Sequence, residues 1–193
     1  MAALALGLTW TIQASAEDAN DCSDPSGALL RSAPEQVVAA CARLANLGDA
    51  VSQNRLGVLF SGGRAVPKDD TKAVEWWRRA ADQGYVLAQF NIASAYFFGR
   101  GVPPDTTKAV EWYRRAADQG FARAQAVLGS LYRVGLGVPQ DYVQSYVWFS
   151  LALAGGDAEV QRVRGETGKL LTAAELAEAR VRTRAWQPSR ANH

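Results

Sequence analysis

The sequence predicts an all-α protein, a right-handed α–α superhelix of 36-residue helix-turn-helix units closed by N- and C-terminal capping helices. Three observations lead there. A long segment recurs at a fixed shift, Gly- and Pro-rich breaks fall at the same place in every copy, and apolar residues between breaks recur at intervals of three and four. Lys72 to Gly84 returns at Lys108 to Gly120 with one change, Tyr113 standing where Trp77 stood. The same shift carries Gly63, Val66, Pro67 and Asp69 onto Gly99, Val102, Pro103 and Asp105, and a second step reaches Gly135, Val138, Pro139 and Asp141. Three full units therefore run 49–84, 85–120 and 121–156.

Within a unit the first helix carries small or apolar residues at 88, 92, 95, 96 and 99, all on one face. Gly99-Arg100-Gly101-Val102-Pro103 ends it, because glycine supplies a left-handed backbone and proline cannot continue a helix. The second helix places Ala109, Trp112, Tyr113, Ala116 and Ala117 inward, with Glu111 and Arg115 as an outward i,i+4 pair. Gly120 closes it. Small residues such as Gly57, Ala73 and Ala80 let helices approach where Trp77 and Phe60 fill the gaps. One unit cannot bury its own apolar face, so stacking is obligatory.

The ends read as caps. Residues 36–48 fall in register with Lys72 to Gly84 and form a lone second helix, opened by Ser32-Ala33-Pro34-Glu35 as a capping box. Residues 157–187 are assigned to C-terminal capping helices. Asp157 to Gln161 begins a fourth unit, but Arg164 stands where Leu128 would sit, which stops the array. Tyr142 to Gly156 has no charge and needs a cover. Thr172-Ala173-Ala174-Glu175, a second capping box, opens an amphipathic helix to about Trp186, with Leu176 and Ala179 inward as that lid. Residues 188–193 are expected to be a disordered tail.

Composition narrows the function. The chain has 193 residues, 48% hydrophobic and 21% charged, with 21 Lys and Arg against 19 Asp and Glu. Its net charge of +2 gives no nucleic-acid signature, and no uncharged apolar run has the roughly 18 residues of a membrane span. The single His, His193, stands at the very end of the chain, so Ser-His-Asp or Cys-His catalysis and imidazole metal sites have no basis. Ser-x-x-Lys, Gly-x-Ser-x-Gly and the phosphate-cradling Gly-x-x-x-x-Gly-Lys pattern are missing as well. No enzyme, metal or cofactor is expected.

Residues 1–16 are uncharged, mostly apolar from Ala2 to Ile12, and end in Ala14-Ser15-Ala16, the small residues a signal peptidase accepts. No Lys or Arg precedes the apolar run, so an export signal stands beside a plain apolar tail as a reading. Residues 17–48 are the N-terminal segment and capping helix. Cys22 and Cys41 fit export, since a disulfide there closes a loop of about 20 residues and stabilises by roughly 3 kcal/mol in the chain-entropy model. The other reading is one buried and one exposed thiol, as a reducing cytosol would keep them.

The repeated pattern resembles the Sel-one-like repeat, a relative of the tetratricopeptide repeat: Ala-Gln-x-x-Leu-Gly-x-x-Tyr, then Gly-x-Gly-Val, an Asp, and Lys-Ala-x-x-Trp-Tyr-x-x-Ala-Ala-x-x-Gly. The second unit matches from Ala88 to Gly120 except at Ala93. The first departs at Ser52, Phe60 and Ala65, the third at Gln144-Ser145. The resemblance implies an α-solenoid that serves as a scaffold for a protein or peptide partner, with envelope signalling or assembly as its setting, and expected here as an exported monomer.

Trp76, Trp112 and Trp148 repeat at one helical site. Core packing is the simpler reading, and a stacking ladder for cell-wall sugars is the alternative. A weak β-lactamase activity, linked to cysteine-rich relatives, is a third; residues 49–156 contain no cysteine. A binding groove should differ between units. If first helices line it, as in tetratricopeptide arrays, its residues are Asn54, Val58, Leu87, Phe90, Ser94, Phe97 and Arg133. Phe90, Ser94 and Phe97 share one stripe as a peptide anchor, or Phe97 and Phe98 merely plug the turn. Arg180, Arg182 and Arg184 form a basic C-terminal end that reads either as a solvated face or as a contact for an acidic surface.

Overall fold

The structure, a computed structural model, describes residues 16–23, 28–153 and 158–189. Every regular element among them is an α-helix. The helices are α1 (Ala16–Ser23), α2 (Ala28–Ser32), α3 (Pro34–Asn46), α4 (Ala50–Gly62), α5 (Asp70–Asp82), α6 (Val86–Phe98), α7 (Thr106–Asp118), α8 (Ala122–Val134), α9 (Tyr142–Ala152), α10 (Ala158–Gly168) and α11 (Ala173–Ala185). Each packs chiefly on its chain neighbour from α3 to α10, and α11 folds onto α9, which makes an α-solenoid.

Local chemistry sets each boundary. Asp69, Asp105 and Asp141 are N-caps whose carboxylates accept the backbone N–H of Lys72, Lys108 and Gln144, each at 2.9 Å. The second helices end in Schellman turns: Tyr85 N–H donates to Ala80 O and Gly84 N–H to Ala81 O, both at 3.0 Å. Phe121 and Gly120 repeat those bonds onto Ala116 and Ala117. The turn inside the second and third units crosses the preceding second helix closely. At Gly101 (φ 72°) a Cβ would stand 2.1 Å from Asp70 O, so no side chain fits.

The main core threads the repeats. Ala73, Ala80, Ala88, Ile92, Ala93, Ala109, Ala116, Ala117, Ala124 and Leu128 have no exposed surface, and Trp77, Trp112, Tyr113 and Trp148 fill between them. Buried glutamines stitch unit to unit. Gln53, Gln89 and Gln125 donate to Ala45 O, Ala81 O and Ala117 O at 3.0, 3.3 and 3.1 Å. Gln83 and Gln119 donate in turn to the Oε1 of Gln53 and Gln89, both at 2.8 Å. A buried amide without partners is costly, so these bonds hold the stacking register.

Both caps are occupied. The structure pairs Cys22 with Cys41 in a disulfide that ties α1 to α3. Arg43 Nε to Asp18 Oδ1 at 2.9 Å and Gln36 Nε2 to Asp21 Oδ2 at 2.6 Å add to that joint. At the other end α11 covers α9, with Ala179 fully buried against Tyr146 and Val147 and Leu176 packed beside them. Its Thr172–Glu175 capping box forms as expected.

Three expectations need adjustment. Ser32 is not the cap of α3: it closes α2, Ala33 takes the N-cap position without a side-chain bond, and Pro34 presets the first turn instead. The row of first helices does not stop at Arg164. Helix α10 adds one more, and the Arg164 guanidinium lies over the Tyr146 ring, 5.7 Å from its centroid, with its Nε buried and without a hydrogen-bond partner among the described residues. The chain beyond Trp186 runs back over the end of α7, where Ser189 N–H donates to Asp118 O at 2.7 Å and Trp186 sits against Gly120. Residues 190–193 and the expected signal segment up to residue 15 lie outside the described residues.

Candidate functional site

Helices α4, α6, α8 and α10 form one row, and their variable positions lie along it. Between α4 and α6 a hollow of about 460 Å³ opens, lined by Val58, Ser61, Trp77, Phe90, Asn91 and Ser94 together with Arg64 and Arg100. Val58 is 48% exposed at its edge, and both arginines are exposed.

The sequence-predicted residues fall into two groups. Val58 and Leu87 (39% exposed) stand free toward solvent. The others are built into joints between units. Asn54 is buried at 8% exposure, and its Oδ1 accepts from Asn91 Nδ2 at 2.9 Å, bridging α4 to α6. Phe90 is half-buried and meets Tyr113 and Phe121 edge to face at 5.4 and 5.2 Å. Ser94 Oγ donates to Phe90 O at 3.0 Å and shares a second hydrogen bond, also 3.0 Å, with the Tyr113 hydroxyl. Burial pushes the Tyr113 phenol above its usual value, so it stays protonated and available for that bond. Phe97 packs edge to face on Phe98 at 5.0 Å. Arg133 reaches across to Glu166 of α10 at 3.5 Å, so the chain's own last first-row helix meets it.

Sequence reasoning missed Trp77, Asn91, Arg64 and Arg100 as parts of this hollow. Trp77 was read only as a gap filler, and it is one, since a Cβ on Gly57 would lie 2.5 Å from its ring. Its Nε1 is buried with no hydrogen-bond partner among the described residues. The signal available was Asn91, a polar residue where the third unit has Val127.

The three periodic tryptophans belong to the second helices and to packing. Trp112 and Trp148 are each 5% exposed. Arg78 and Arg115 lie over the Trp112 ring at 5.1 and 4.3 Å from its centroid, and Arg114 lies 6.0 Å from that of Trp148. Arg78 also donates to Tyr96 OH and Arg114 to Tyr132 OH, so each arginine clamps two consecutive units. No three His, Cys, Asp or Glu side chains gather to hold a metal among the described residues. No helix there is long and apolar enough to cross a membrane.

Comparison with known proteins agrees with this architecture. The Sel1 repeat model matches residues 50–85, 86–121 and 122–157. Among solved structures, the chain is similar to a protective antigen present in uropathogenic Escherichia coli strains that displays an SLR fold, at 37% identity and a TM-score of 0.71 over 79% of this chain and 32% of that one. It is also similar to a Sel1 repeat protein from Oxalobacter formigenes, at 29% identity and a TM-score of 0.66 over 79% of this chain and 62% of that one. The chain thus spans about a third of the first relative and under two thirds of the second. No curated protein matches it. Sel1 repeat proteins generally act as scaffolds for protein interaction. With three consecutive repeat matches over more than half its length, the chain belongs to the Sel1 repeat family.

Proposed function

We propose that this chain is a non-catalytic scaffold that holds a protein or peptide partner against its row of first helices. One observation carries the reading: the glutamine joints between units recur, whereas Val58, Phe90 and Asn91, in the hollow between α4 and α6, stand where the other units carry different residues. A surface shaped by the non-recurring positions is where a specific partner can be told from others. Val58 and Leu87 make direct contact, Phe90, Ser94 and Asn54 shape the floor, and Phe97 and Arg133 extend the surface along the row.

The setting we infer is an exported compartment, where the Cys22–Cys41 disulfide persists and the scaffold acts as a monomeric adaptor or inhibitor of another envelope protein. The test is site-specific photocrosslinking in the native cell. Crosslinkers at positions 58 and 87 are expected to yield one defined protein adduct, while crosslinkers at the exposed Glu75 and Arg115 positions of the second helices yield none. Adducts from 75 and 115 alone would move the docking face to the opposite row.

A further inference from the structure

The first helices of the three repeats, α4, α6 and α8, and the turns that follow them have a one-signed charge. Residues 50–68, 86–104 and 122–140 contain Arg55, Arg64, Lys68, Arg100, Arg123 and Arg133 and no Asp or Glu, in a chain whose net charge is only +2. Apart from Asp49, the N-cap of α4, the carboxylates of the repeats lie on the second helices and their caps, and Glu159 and Glu166 lie beyond them on α10. Three of the six cations are engaged within the chain: Arg55 donates to Ser23 O, Lys68 pairs with Asp70 at 3.2 Å, and Arg133 pairs with Glu166. Among the described residues, Arg64, Arg100 and Arg123 have no carboxylate within ion-pair distance. Two of these three, Arg64 and Arg100, line the same hollow, whose walls are the apolar faces of Val58, Trp77 and Phe90. Arg100 also stacks over Phe98, 5.2 Å from its centroid, and that ring is 64% exposed.

Resting on the scaffold reading above, we propose that the hollow between α4 and α6 takes an acidic peptide segment of a protein partner. Its carboxylate side chains pair with Arg64 and Arg100, and an apolar side chain between them enters against Val58, Trp77 and Phe90. Guanidinium groups favour carboxylates geometrically, through paired N–H donors. The apolar walls argue for a side chain between the charges and against a bare phosphate backbone or a flat lipid surface, for which scattered cations suffice. Within α4, α6 and the turns that follow them there is no Asp or Glu, and a carboxylate there would repel the partner.

The test uses the full chain and a capped octapeptide of alternating glutamate and leucine, titrated by calorimetry at low salt, with the glutamine–leucine peptide of equal length as control. The acidic peptide is expected to bind one to one and at least tenfold tighter than the control. The Arg64→Gln/Arg100→Gln variant should lose at least tenfold, and Arg123→Gln less than twofold. Circular dichroism checks that each variant keeps its helices. Val58→Trp, at an exposed site, plugs the hollow and should weaken the peptide as well. Equal binding of both peptides, with both weakened by Val58→Trp, would overturn the acidic preference and leave the scaffold reading standing. Acidic binding indifferent to Val58→Trp would sink the groove itself. No binding of either peptide, equal losses with Arg123→Gln, or tighter binding of an oligothymidylate octamer or phosphatidylglycerol vesicles would each overturn the proposal.

Discussion

Gly57 and Trp77 share one space, because a Cβ on Gly57 would lie 2.5 Å from the indole Cδ1 and Nε1. The third unit repeats the fit with Gly129 and Phe149 at 2.8 Å. The middle unit solves it differently: Ala93 faces the second helix where Tyr113 replaces the indole, and the phenol bonds to Ser94. Glycine inside a helix costs about 0.5–1 kcal/mol against alanine, and here the helix bears that cost to admit a larger ring.

Gly57→Ala is therefore expected to destabilise by about 1–3 kcal/mol despite its better helix propensity, as overpacking outweighs propensity. Adding Trp77→Tyr, which recreates the middle unit's pair, should recover at least half of that loss. Urea denaturation of both singles and the double measures the coupling; additive losses would contradict the shared space.

Ala65 occupies the place of Gly101 and Gly137 and is the one described non-glycine residue with positive φ, at 65°. A hollow lined by Leu30, Arg31, Pro34 and Arg64 opens beside it. Ala65→Gly should raise stability by up to about 1 kcal/mol by releasing left-handed strain. Gly101→Ala should cost about 2 kcal/mol or more, because strain and the collision with Asp70 O act together. Thermal melts that rank the two changes in the opposite order would refute the account.

The cap carboxylates make the array acid-sensitive. The Lys108 backbone N–H, then its side chain, holds the Asp105 carboxyl below its usual range, and the Lys72 N–H does the same for Asp69. A folded-state value below the unfolded one gives stability that is complete above the unfolded value and lost as pH falls through the folded one. That window lies below about pH 4. Asp69→Asn/Asp105→Asn keeps the cap acceptors and removes their titration. Its melting temperature should fall less than the parent's between about pH 5 and pH 2.

Cys22→Ala/Cys41→Ala should cost roughly 3 kcal/mol by the loop-entropy argument, confined to the N-terminal end. In a linear array contacts run only between neighbours. Hydrogen exchange is expected to lose protection across α1 and α3 while α7 and α9 keep theirs. Uniform loss along the chain would mean the units fold as one block.

The helices of the repeats were legible because their breaks rest on local chemistry: Asp69, Asp105 and Asp141 cap, Gly84 and Gly120 close, and each does so within four residues. The disulfide and the lid over α9 were legible in the same way, as an even cysteine pair and as an uncharged helix in need of cover. The candidate site was legible only as a row. Whether a variable residue faces solvent or its neighbouring unit depends on contacts 19 to 37 residues away, as in Ser94–Tyr113 and Asn54–Asn91. The return of Ser189 to Asp118 is longer still, and nothing in the tail's own residues encodes it.

The buried glutamines have a direction. Gln89 donates back to Ala81 of the unit before it and accepts from Gln119 at the end of its own. Every internal joint thus presents the same plug and the same socket, so a whole unit can be spliced in or removed and the cut faces still fit. An array joined in this manner grows by duplication without reinvention, and its reach can be lengthened while its recognition positions are free to diverge.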